Sequence, residues 1–277
     1  MTLSERNIYF KAGILLASAV LIAVIAASFI IVPAIPGVVD AAARRSPGIF
    51  QSVIDNFAAP APYAAYISVL GAVLYAFISI ILIYYFFEQT QSPEILFFGL
   101  FVISFALEGL RIIVPVKAVY DFPAVYLTMA FRILLFGRYF GLFSLFAASV
   151  YAAGLEIQRQ LNIILIIVVA TLVIALGVPI DTLSWDSSLS MVNGYTSMFR
   201  MVEAGVFITT ITSFLISSWS RGAREYIAVS IGTFLVLVGR NILLSGDTWI
   251  SPLPGVLLLG AGTWLICTQL HKVYLWL

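Results

Sequence analysis

The chain has 277 residues, of which 62% are hydrophobic and 10% charged, whereas soluble domains run near about half apolar and about a quarter charged. That composition excludes a water-soluble globular protein, and a net charge of +1 provides no basic face for nucleic acid. One cysteine, Cys267, and one histidine, His271, exclude an internal disulfide, a cysteine metal cluster and bis-histidine haem ligation within the chain. No cofactor and no metal are expected.

Eight apolar segments follow in chain order: Ala12–Ile35, Tyr63–Phe87, Ile95–Val116, Pro123–Ala153, Ile163–Val178, Ser197–Ser217, Tyr226–Leu244 and Pro254–Leu277. A helix needs about 20 apolar residues to cross the hydrocarbon core. Lone strands cannot satisfy their backbone there, so each segment is expected to be helical. The expected fold is all-α: one integral membrane domain over residues 1–277, a polytopic bundle with one peripheral helix and a seven-helix core.

The first segment follows Arg6 and Lys11. It is too long for a signal peptide's apolar region of about 7–15 residues, so a retained first helix is expected. Lysines and arginines set the orientation. With the N-terminus inside, the cytoplasmic ends hold Arg6, Lys11, Arg159, Arg221, Arg224 and Lys272, and the outer ends hold Arg44, Arg45 and Lys117. Both termini are therefore expected in the cytoplasm of a multi-pass cell-membrane protein.

Pro36–Pro62 form the longest outer loop. Within it Ile49, Phe50, Val53, Ile54 and Phe57 share a helical face, which predicts a short amphipathic helix on the membrane surface or capping the bundle.

The third segment contains FALEGLRIIV and the seventh LVLVGRNILL. Each follows a loop with a glutamate (Glu94 and Glu225) and carries a glycine and an arginine near its outer end. The pattern is that of two parallel triplets, segments two to four and six to eight, joined by segment five; some transporter folds are built this way.

The fourth segment is long and contains Arg132, Gly137 and Arg138. It is expected to be one tilted helix or a helix broken near Gly137. Its GRYFG stretch has the GxxxG spacing that lets helices approach closely. Arg138 falls near mid-membrane, and its expected partner is one of Glu88, Glu94 and Glu156. In the outer loop TLSWDSS, Trp185 suits the interfacial aromatic belt, with Asp181 and Asp186 as solvated neighbours.

Charges inside a membrane are costly and usually face the bundle interior or a water-filled cavity. At about 1.5 Å per residue, Glu108, Arg111, Arg132, Arg200, Glu203 and Arg240 all fall in the outer half of four helices, with Asn241 beside the last. Arg132 is placed roughly 13 Å in and is the expected partner of Glu108. Glu108 with Arg111, and Arg200 with Glu203, are i,i+3 neighbours on one helix face. Four arginines against two glutamates leave a positive excess, and arginine suits bidentate recognition of carboxylate or phosphate. This layer is the candidate ligand site; the competing reading is a structural ion-pair network with Arg111 and Arg240 snorkelling to the interface.

No zinc-protease, serine-hydrolase, P-loop or dinucleotide motif occurs, and Lys11, Lys117 and Lys272 lie at segment ends, which excludes a retinal Schiff base. No catalytic residue is assigned. The expected function is non-enzymatic: binding of a small or lipidic anion from outside by a receptor-like sensory module. Its expected partners are the bilayer, the anion, and a second copy or a membrane signalling partner. The alternatives are a transporter or channel for a small solute, and a lipid-modifying enzyme with Glu108 or Glu203 as acid or base.

Overall fold

The computed structural model describes residues 3–31, 62–88, 90, 92–154 and 160–275. The expected surface helix around 47–57 and the acid Glu156 lie outside the described residues. Among those described, eight helices are long and apolar enough to cross a membrane, and the chain is a multi-pass membrane protein. They are α1 (Leu3–Ile31), α2 (Pro62–Phe87), a composite third span (Pro93–Tyr120), α5 (Ala124–Ala152), α6 (Gln160–Gly177), α7 (Thr196–Arg221), α8 (Glu225–Leu244) and α9 (Pro252–Leu275).

The third span is the mast of the bundle, packed on α1, α2 and α5 and more buried than any other described span. It begins as α3 (Pro93–Ser104), with Pro93 at the first helical position and the Ser92 hydroxyl accepting from the Ile95 amide at 3.2 Å, a start that suits both residue types. It then tightens into a 3₁₀ helix over Phe105–Ile112 and ends as α4 (Ile113–Tyr120). Such helices rarely run past 3–4 residues, and a mid-helix stretch often marks a functional hinge. Here it spans the candidate site.

α5 runs unbroken through Gly137. Its GxxxG serves packing within the chain: a side chain at Gly137 would meet Leu107, and one at Gly141 would meet Ser104. A second glycine pattern joins α8 to α9. Gly232 and Gly239 on one helix face Gly262 and Gly255 on the other, with backbone against backbone. α5 packs on α7 and α9 packs on α2. The last helix of each expected triplet thus touches the first of the other.

Between α6 and α7, where the sequence predicts a loop, the chain forms a hairpin. β1 (Ile180–Trp185) pairs antiparallel with β2 (Met191–Asn193), with Ile180 opposite Asn193 and Trp185 opposite Met191. Its tip turns into the bundle. Leu189, at φ 58°, is fully buried and packs in one cluster with Ala65 of α2, Val114 of α4, and Leu127 and Phe131 of α5. Non-helical backbone at such a depth is tolerated only where protein covers it.

The glycine interface yields a contrast within one helix. A Cβ at Gly262 would lie 2.6 Å from the Gly232 carbonyl oxygen, whereas one at Gly260 meets nothing within 4 Å. Gly262→Ala should cost about 1–3 kcal/mol, as overpacking does, while Gly260→Ala should be neutral or stabilising. Unfolding titrations in mixed micelles separate them, and equal stability of the two variants would contradict the packing.

Candidate functional site

Glu108 sits at the centre of the charged layer. On a 3₁₀ helix, side chains three apart eclipse, which brings Arg111 Nη1 to 3.6 Å from Glu108 Oε2. The dominant partner comes from α5: Arg138 donates from Nε to Oε1 at 2.7 Å and from Nη2 to Oε2 at 2.8 Å. This is the bidentate geometry in which a guanidinium binds a carboxylate best. Glu108 and Arg111 are both buried, and Arg138 is 17% exposed.

The pairing corrects two expectations. Arg138 joins neither Glu88 nor Glu94, and Glu108 is not the partner of Arg132. The reason is depth. The third span runs to Tyr120, four residues past its expected end, and its 3₁₀ part rises about 2.0 Å per residue. Glu108 therefore lies roughly 20 Å from that end, and Arg138 roughly 21 Å from the start of α5, so the two are level. Arg132 lies nearer the start of α5 and turns to α6, donating from Nη1 to the carbonyls of Ala175, at 3.1 Å, and Leu176. It neutralises the negative end of that helix.

The rest of the layer continues from Arg138. Arg240 on α8 is buried rather than snorkelling, as is Arg111. Its Nη2 donates to the Arg138 carbonyl at 3.4 Å and stands 3.6 Å from Glu203 Oε1 on α7. Its Nη1 donates to the exposed Asn241 at 3.4 Å. Arg111, Arg138 and Arg240 thus face Glu108 and Glu203, and Asp186 and Asp247 at the hairpin add negative charge near Arg111.

Glu203 also lines a cleft of about 160 Å³ with Tyr139, Asn193, Thr196, Phe199 and Arg200. Arg200 is exposed and makes no ion pair with a described residue. Asn193 Oδ1 is buried without a hydrogen-bond partner among the described residues. The cleft therefore offers one uncommitted guanidinium beside the charged layer. No protein-family model, curated protein or solved structure matches the chain. The site's own geometry therefore carries the functional reading.

On the side of Glu108 away from the hairpin the bundle is packed with aromatics. Phe105 meets Tyr75 edge-on at 5.1 Å and Phe101 at 5.2 Å, and Phe97 stacks on Tyr151 at 5.1 Å. Beyond them, at the far end, buried Glu94 accepts from Ser92 at 3.0 Å, Tyr226 at 3.4 Å and Tyr274 at 2.5 Å. No described chain of polar groups links Glu94 to Glu108. Among the described residues no group of acids, histidines and cysteine could hold a metal ion.

The two arginines of α5 should differ sharply. Arg138→Gln strands a buried carboxylate and should cost about 3–5 kcal/mol, whereas Arg132→Gln loses only a helix-end contact, about 1 kcal/mol. Glu108→Gln combined with Arg138→Gln should recover part of the larger loss. Unfolding of the three variants in mixed micelles checks the ranking, and equal losses for both single variants would contradict the pairing.

Proposed function

We propose that this chain is a non-enzymatic protein of the cell membrane, with both termini cytoplasmic, that binds a small or lipidic oxyanion from outside in the Arg200–Glu203 cleft. It passes the bound state to a second copy or another membrane protein. The observation that carries this reading is Arg200: an exposed arginine with no described ionic partner, at the mouth of a cleft that borders a buried layer of three arginines. The order of charges supplies a path for the signal. An anion on Arg200 competes with Glu203 for the positive field, Glu203 leans on Arg240, and Arg240 donates to the backbone of Arg138.

The alternatives draw less support. A transporter or channel needs a polar route onward from Arg138, and the Phe97–Phe101–Phe105 aromatics fill that direction. A lipid-modifying enzyme needs an acid or base with a spare oxygen. Both oxygens of Glu108 are engaged by Arg138, which leaves only Glu203, facing Arg240 through Oε1.

The test is protection of a cysteine in the cleft. Thr196→Cys, on a Cys267→Ala background, should react with a membrane-impermeant maleimide added outside intact cells. Phosphate or acetate should slow that reaction, and adding Arg200→Gln should remove the protection. Reaction only from the cytoplasmic side would overturn the orientation. Labelling that no oxyanion slows would overturn the binding site.

A further inference from the structure

Arg111 is fully buried and only partly satisfied. Its Nη2 donates to the Ser188 carbonyl at the hairpin tip, while Nε and Nη1 make no hydrogen bond with the described residues, although Nη1 feels Glu108 at 3.6 Å. Leaving buried donors unmade is costly, so the arrangement calls for a partner that one backbone carbonyl cannot be. Arg138, beside it, adds a contact from Nη2 to Ser190 Oγ at 3.2 Å. Two oxygens of one hairpin tip thus rest on two guanidinium groups, a geometry that suits an oxyanion better.

The same hairpin reaches the cleft. Asn193, two residues past the start of β2, lines it with an unpartnered carbonyl oxygen. The tip is seated by Leu189 and by the Ser187 hydroxyl donating to Asp247 at 2.8 Å. Leu189 holds a left-handed φ of 58°, which a branched side chain adopts only when its surroundings impose it. The tip is therefore held in place by contacts it can lose together.

We infer that the hairpin tip is a displaceable stand-in ligand: the Ser188 carbonyl and Ser190 hydroxyl occupy the oxygen positions of a second, deeper oxyanion subsite on Arg111 and Arg138. This rests on the cleft reading above, because the Arg200 cleft is the way in. The ligand is a carboxylate or phosphate group, free or on a lipid headgroup. An oxyanion carries acceptors for the Arg111 Nε and Nη1 donors that the single Ser188 carbonyl leaves unmade. The tip then leaves the cluster around Leu189, and the hairpin becomes the part of the protein that reports occupancy.

Ser188→Cys keeps the backbone carbonyl and places a buried thiol at the tip. In detergent micelles, on the Cys267→Ala background, its maleimide labelling is followed in chloride, in acetate, in inorganic phosphate at equal ionic strength, and in micelles doped with phosphatidic acid. Labelling should rise by about five-fold or more with an oxyanion, the low end of ordinary coupling between two sites. The arm that responds tells a free anion from a lipid headgroup. Amide exchange over residues 184–192 of the unaltered protein gives the same readout should the variant fail to fold. Unchanged labelling and exchange in every arm, with Thr196→Cys still protected through Arg200, would overturn the stand-in and leave the cleft reading intact. Loss of both responses would overturn both.

Discussion

A carboxylate buried in the middle of a membrane bundle has to be neutralised, and the way Glu108 meets that demand organises the rest of the structure. Arg138 supplies two matched donors from α5 and Arg111 supplies charge from one turn further along the same 3₁₀ helix. Removing either side of a buried pair costs about 3–5 kcal/mol, so the third span and α5 must keep their depths matched. Gly137 and Gly141 let the two helices close on Leu107 and Ser104, which holds that register.

The same arginines make the hairpin tolerable. Its tip carries irregular backbone into the bundle, where unsatisfied carbonyls cost several kcal/mol each in lipid. Arg111 donates to Ser188 and Arg138 to Ser190, and Leu189 covers the turn. Ion pairing, backbone satisfaction and the entrance of the cleft are therefore one connected arrangement. Asn193 joins the cleft to the hairpin, and Arg240 joins Glu203 to the Arg138 carbonyl.

Much of the fold was legible from the sequence. Length and hydropathy locate the eight spans found among the described residues, since a run of apolar residues near 20 has few other readings. Helix ends were less legible: α1 begins at Leu3, well before Ala12, and the third span extends to Tyr120, because polar residues at a helix end do not stop a helix that can reach the interface. The 3₁₀ stretch left no mark in FALEGLRI; the four further residues to Tyr120 add about 6 Å and its longer rise about 2 Å, which together set Glu108 level with Arg138 in place of Arg132. The hairpin was hidden for another reason. TLSWDSS has loop chemistry, and what holds it is Arg111 and Arg138, distant in sequence. The α8–α9 interface does have a mark in the sequence: glycines seven apart at Gly232 and Gly239 and again at Gly255 and Gly262.

The proposed anion site lies on the hairpin side of the charged layer, with the aromatics around Phe105 on the other. The most direct measurement is a structure determined with saturating selenate, whose selenium scatters anomalously. The account predicts a selenium signal on the hairpin side of the layer, against Arg200 or Arg111, with the aromatics around Phe105 still closed. A signal beyond Phe105 toward Glu94, or none at the arginines at all, would contradict it.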